Sequence, residues 1–179
     1  MPAAPIPSDE RRRLAALFQC GLLDTGPEPG FDELTALAAE LLRTPVALVS
    51  VVDRHRQWFK SRVGLDVAET PRDMAFCAYV ILDHEPLVVP DATQDARFAD
   101  NPLVTGEPGI RFYAGVPLRL ASGEALGTLC VIDFEPREPT SDELRLLERL
   151  GRQAASQLEL RLANRRLEQA ERAARAADE

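Results

Sequence analysis

Hydrophobic and polar positions along this chain fall into three regimes: helical at the start, extended through the middle and helical again at the end. Ser8-Asp9-Glu10 offers side-chain oxygens for the cap of a helix through Arg11 to about Cys20, and Gly21 stops it. Gly26-Pro27-Glu28-Pro29-Gly30 reads as a linker. Phe31 to Arg43 then places Phe31, Leu34, Leu37, Ala38, Leu41 and Leu42 on one helical stripe. Asp32 and Glu33 sit in its first turn, where the helix dipole favours acids.

After Thr44-Pro45 the period changes. Val46 to Val52 is a continuous apolar run of strand length, which predicts burial on both faces. Asp53-Arg54-His55-Arg56 turns the chain, and Gln57 to Val63 pairs back as a hairpin. Thr70 reads as an N-cap, with Pro71 at the first helical position and Asp73 three residues past the cap. The helix expected there carries Met74, Cys77, Ala78 and Ile81 at helical spacing and ends before Pro86. Leu87-Val88-Val89 is a short strand closed by Pro90-Asp91.

Asp95 to Leu118 begins turn-rich and ends as an apolar strand. Asn101-Pro102 and the Gly106-Glu107-Pro108-Gly109 run forbid a continuous helix, because proline lacks a donor and glycine costs backbone entropy. Ile110 to Leu120 reads as a buried strand, Ala121-Ser122-Gly123-Glu124 as a hairpin turn, and Ala125 to Asp133 as another buried strand. A long loop that holds apolar residues and feeds a central strand is a common way to wall a pocket.

Either Thr140 or Ser141 caps the last helix, with acids in its first turn. Leu144, Leu147, Leu150, Ala154 and Leu158 form a wide stripe suited to packing on a sheet. From Leu160 the spacing becomes heptad-like through Leu160, Ala163, Leu167, Ala170, Ala174 and Ala177. This thin, alanine-rich seam reads equally as a partner helix or as a solvated helix end.

Strands in the middle, mostly joined by hairpins, with helices at both ends predict an α+β fold: a largely antiparallel sheet with terminal helices on one face. The other face would be covered by the 70–83 helix and the 91–109 loop. The expected organisation is an N-terminal helix and linker over 1–30, a central domain over 31–158, and a C-terminal helical extension over 159–179. The chain ends inside a helical pattern with no stop signal, so it reads as part of a longer protein.

Composition narrows the function. The 179 residues carry a formal charge of −8, which argues against a nucleic-acid partner. No apolar run is long enough to cross a bilayer, and the N-terminus lacks the order of a secretory signal. The three cysteines, Cys20, Cys77 and Cys130, are odd in number and widely spaced, fitting a reducing cytoplasm rather than a disulfide framework. His55 and His84 lie in turns without partners at metal-ligand spacing, so no metal is expected.

Cys77 and Cys130 read as buried small hydrophobes rather than nucleophiles. No phosphate-cradling loop and no hydrolase or kinase signature is present. What remains is a pocket. Phe76, Cys77, Phe98, Ile110, Phe112, Tyr113, Thr128 and Cys130 are its candidate lining, with Arg111 and Asp91 as polar contacts. Taken singly, each reads first as packing.

The blocks AFCAYVILDHEPLVVPDATQDARFADNPLV, GIRFYAGVPL and ALGTLCVID, in this order, resemble a bacterial GAF domain of the kind found ahead of sensor histidine kinases and diguanylate cyclases. The resemblance runs from about Phe31 to Leu162. It implies a six-stranded antiparallel sheet with terminal helices on one face and a ligand pocket on the other. Such domains bind cyclic nucleotides, tetrapyrroles, haem or other small molecules, or nothing known. Members that attach a linear tetrapyrrole use a cysteine commonly followed by histidine. Here Ala78 follows Cys77, so a covalent bilin is not expected. The NKFDE pattern of cyclic-nucleotide binders is not recognisable.

The resulting expectation is a non-enzymatic, cytoplasmic sensory or regulatory module that binds an unknown small molecule. It would form a homodimer through its terminal helices and pass the signal to a fused or separate kinase or cyclase. The alternatives are a free methionine sulfoxide reductase-like enzyme, whose redox cysteines those of this chain do not resemble, and a ligand-free dimerisation scaffold. Neither nucleic acid nor membrane is an expected partner, and the cofactor is open.

Overall fold

The computed structural model describes residues 3–178. Two helices, α1 (Glu10–Cys20) and α2 (Pro29–Leu42), precede three strands, β1 (Val46–Val52), β2 (Arg56–Val63) and β3 (Glu69–Pro71). A one-turn helix α3 (Cys77–Val80), strand β4 (Leu87–Val89) and a short helix α4 (Pro102–Thr105) follow. β5 (Phe112–Arg119), β6 (Ala125–Asp133) and the long helix α5 (Ser141–Ala177) complete the chain. The strands form one antiparallel sheet in the order β3-β2-β1-β6-β5-β4. This is the α+β architecture the pattern predicts.

β1 lies near the middle of the sheet and is buried at all seven positions, Ser50 included, as its otherwise apolar run predicts. Ala47, Val49 and Val51 face α1, α2 and α5, together with Leu129 and Val131 of β6. Val46, Leu48 and Val52 face the other way, with Cys130 and Ile132 of β6. The same strands therefore supply both cores, residue by residue in alternation. α5 approaches β5 closely at Gly151, where an added β-carbon would lie 2.5 Å from Val116 Cγ2.

Arginines tie α1 to the sheet and α5 to the N-terminal helices. Arg13 is fully buried and donates to the Val52 carbonyl at 2.6 Å while pairing with Glu10 at 2.8 Å. Arg72 reaches the same Glu10 at 2.5 Å and also donates to the Asp53 carbonyl at 3.0 Å. On α5, Arg161 pairs with Glu28 at 2.8 Å and donates to the carbonyls of Cys20 and Gly21. No helix among the described residues is long and apolar enough to cross a membrane.

Four local expectations are corrected. The helix expected over 70–83 is broken: Thr70-Pro71 ends the edge strand β3, and a 3-10 turn at Arg72–Met74 separates it from α3. Thr70 pairs with Gln57 across the strands, and edge strands accept a proline that would cost an interior strand a hydrogen bond. Pro29 and Gly30 belong to α2 rather than to a linker, since proline fits the first helical position. Leu37 and Leu41 are 39% and 44% exposed, and the buried face of α2 uses Thr35 instead, its hydroxyl 2.9 Å from the Phe31 carbonyl and 2.7 Å from Ser61 Oγ. Asp9 stands at the N-cap of α1 without a side-chain bond, the pairing of Glu10 with Arg13 and Arg72 taking the local polar role. At α5 the open choice resolves to Thr140, which forms a reciprocal capping box with Glu143.

Candidate ligand cavity

On the face of the sheet opposite α1, α2 and α5 lies a cavity of about 330 Å³. Its floor is set by strand alternation. Val46 and Leu48 come from β1, Gln57 and Phe59 from β2, Tyr113 from β5, and Cys130 and Ile132 from β6. Phe76 and Cys77 form one wall. Leu103, Pro108 and Ile110 form another, and Leu65, Asp66 and Val67 of the β2–β3 connection close the side.

Asn101 organises the roof. It is fully buried, accepts the Leu103 amide at 2.9 Å and donates to the Met74 carbonyl at 3.0 Å. One side chain thus caps α4 and ties it to the segment that delivers Phe76. Phe98 stacks on Phe76 with centroids 4.0 Å apart and planes 5° apart, and Tyr113 lies tilted at 5.0 Å from the same ring.

A buried polar cluster sits against the apolar floor. Cys77 Sγ is 3.1 Å from the Tyr113 hydroxyl, and the Thr128 hydroxyl donates to it at 3.0 Å. Burial alone would raise the Cys77 thiol, but hydrogen bonding from Cys130, Thr128 and Tyr113 holds it down to about 7. The Cys130 thiol is pushed well above its usual range by its bond to Cys77 and by burial. Two thiols this close share at most one negative charge. Burial also raises the Tyr113 hydroxyl, keeping it neutral. Cys20 lies apart in the helix-side core, pushed up to about 11 by burial.

Of the candidate residues, Phe76, Cys77, Ile110, Tyr113 and Cys130 meet at the cavity. Thr128 sits beneath it as the donor to Cys77, and Phe98 backs Phe76 from a second layer. Three expectations are corrected. Phe112 faces the helix-side core under the Arg137 guanidinium at 5.2 Å, because it is one residue out of phase with Tyr113. Arg111 spends its guanidinium on the carbonyls of Val104 and Ile110, at 2.9 and 3.0 Å. Asp91 caps the 3-10 turn at Ala92–Gln94, accepting the Thr93 amide at 3.0 Å. On α5, Leu160 and Leu167 are 62% and 60% exposed, and Ala163, Ala170 and Ala174 share that exposure.

Gln57 joins the lining without being among the sequence-derived candidates. It is only 5% exposed, its Nε2 donates to Thr70 Oγ1 at 3.0 Å, and its Oε1 has no partner among the described residues. The signal was the period-2 pairing of Gln57 with Phe59, which puts an amide on the apolar face of β2.

A GAF domain family model matches residues 27–158. The chain is 50% identical over 153 residues to a cyclic di-GMP phosphodiesterase of Pseudomonas aeruginosa; the match covers 85% of this chain and 26% of that protein. The chain therefore spans about a quarter of that relative's length. Among solved structures it resembles the GAF domain of an Acinetobacter phosphoenolpyruvate-protein phosphotransferase, with a TM-score of 0.62 at 19% identity over 86% of this chain and 93% of that one. It also resembles a type II free methionine-R-sulfoxide reductase of Thermoplasma acidophilum, with a TM-score of 0.57 at 14% identity over 72% and 92%. Likeness at these identities speaks for the fold alone.

Proposed function

The chain belongs to the GAF domain family, and from that premise we propose that it is a non-enzymatic sensory module whose cavity binds a small molecule. The bound molecule biases the packing of the terminal helices in a cytoplasmic homodimer. The carrying observation is the shared strand layer. Val46 and Leu48 face the cavity while Ala47 and Val49 face the helices, and Cys130 and Ile132 alternate in the same way with Leu129 and Val131. A shift of these strands on ligand binding reaches α5 directly through packed side chains. The exposed seam from Leu160 to Ala174 is the dimer contact, and the output domain, a kinase, cyclase or other signalling enzyme, is fused beyond it or docked on it.

Sedimentation of the intact chain and of a chain ending at residue 159 tests the dimer. The expected result is a dimer for the first and a monomer for the second; a monomeric intact chain at high concentration overturns it. Native mass spectrometry of freshly purified protein tests the ligand by the mass retained.

The proximity of Cys77 and Cys130 at one cavity favours a second reading, a reductase of free methionine sulfoxide. That reading requires reductant-dependent turnover that Cys77→Ser abolishes.

A further inference from the structure

Resting on the reading of the cavity as a ligand site, we propose that it selects a neutral or cationic, mainly apolar molecule with one hydrogen-bond donor and rejects anions, nucleotides included. Three observations carry this. The first is charge. Asp66 and Glu107 are the charged side chains along the cavity, and no lysine, arginine or histidine lines it among the described residues. The nearby arginines are committed elsewhere: Arg111 to the carbonyls of Val104 and Ile110, Arg72 to Glu10, and Arg97 to Asp95. An anion entering the cavity would lose its water and meet no counter-charge.

The second is Gln57. Its Nε2 donates to Thr70 Oγ1 at 3.0 Å, which leaves the acceptor Oε1 as the unpartnered group. A buried acceptor without a partner is costly, and because Gln57 lines the cavity, a turn of its amide lets a ligand N–H or O–H satisfy it. The third is the wall. Phe59, Phe76 and Tyr113 offer ring surface that suits a flat apolar body and attracts a cation. At about 330 Å³ the cavity lies at the low end of small-molecule sites, which fits one or two fused rings.

Indole, tryptamine and indole-3-acetate share one aromatic body and differ in charge at pH 7; 1-methylindole lacks the donor. Titrating each into the intact chain while following the methyl resonances of Leu103, Ile110 and Ile132 separates the requirements. Indole and tryptamine are expected to shift these methyls, with indole-3-acetate roughly tenfold weaker or worse. Indole is expected to bind more tightly than 1-methylindole in the wild type and equally in Gln57→Leu. Indole-3-acetate binding as tightly as tryptamine overturns the charge selection and leaves the ligand site standing, and wild-type binding of 1-methylindole equal to that of indole overturns the role of Gln57. Cavity methyls unmoved by all four probes at millimolar concentration overturn both this proposal and the ligand-site reading.

Discussion

The Tyr113 hydroxyl occupies the space that a β-carbon on Gly115 would need: that carbon would lie 2.8 Å from Tyr113 Cζ. Tyr113 is 1% exposed and held by Cys77 at 3.1 Å, so its ring has nowhere to go. The two residues share one face of β5, and the absence of a side chain at Gly115 lets the phenol lie along the strand and reach the thiol cluster.

Gly115→Ala is therefore expected to destabilise the fold by about 1–3 kcal/mol through overpacking. Tyr113→Phe removes the hydroxyl that clashes, so the double variant should recover part of that loss. Urea unfolding of the two single variants and the double variant measures the coupling. Additive losses would contradict the contact.

Gly151 tests the helix layer in the same way. Alanine favours a helix over glycine by about 1 kcal/mol, but its β-carbon would press on Val116 Cγ2, and overpacking costs about 1–3 kcal/mol. The clash should win, leaving Gly151→Ala less stable than wild type. With Val116→Ala as background the sign should reverse, because the obstructing methyl is gone. Thermal unfolding midpoints of the four proteins give the comparison.

Glu10 makes stability depend on acid. Burial alone would raise its carboxyl, but hydrogen bonds from Arg13 and Arg72 hold it down to about 2, against an ordinary 4.5. A depressed carboxyl stabilises the fold above its unfolded pKa, and that contribution fades as pH falls from 4.5 through about 2. Full linkage would be about 3 kcal/mol, which solvent screening at a partly open site trims to about 1–2 kcal/mol. Glu10→Gln should cost about that much at pH 7 and only a small fraction of it at pH 2. Urea midpoints of both proteins across this range decide it; a gap that stays constant would contradict the assignment.

The strands were legible because their signal is redundant. Val46 to Val52 and Ala125 to Asp133 are mostly apolar with β-branched residues in both, and Gly123 turns the chain between β5 and β6 at a φ of 110°. That redundancy also hid which residues face the cavity. When both faces of a strand are buried, period 2 gives two sets but not their destinations, and Phe112 was grouped with Tyr113 although they point apart. Thr70-Pro71 misled for a different reason: a capped helix start and the end of an edge strand use the same residues. Taken alone, Gln57 gives no such signal, because a single amide in a hairpin strand looks like a solvent-facing position. Only the third dimension shows that the 65–67 loop and α4 fold over it.

α5 runs unbroken for 37 residues, which at 1.5 Å per residue makes a rod of about 55 Å. Its last buried position is Leu162, and at Gly151 it lies close enough to β5 for an added β-carbon to meet Val116 Cγ2. Beyond Leu162 about 22 Å of arm remains to Ala177, so a tilt of about 5° at that point carries the far end through about 2 Å. Rigid elements amplify in this way without storing strain along their length. In the proposed signalling role, a strand displacement too small to open the cavity would be read at the tip as a shift larger than the rise of one helical residue.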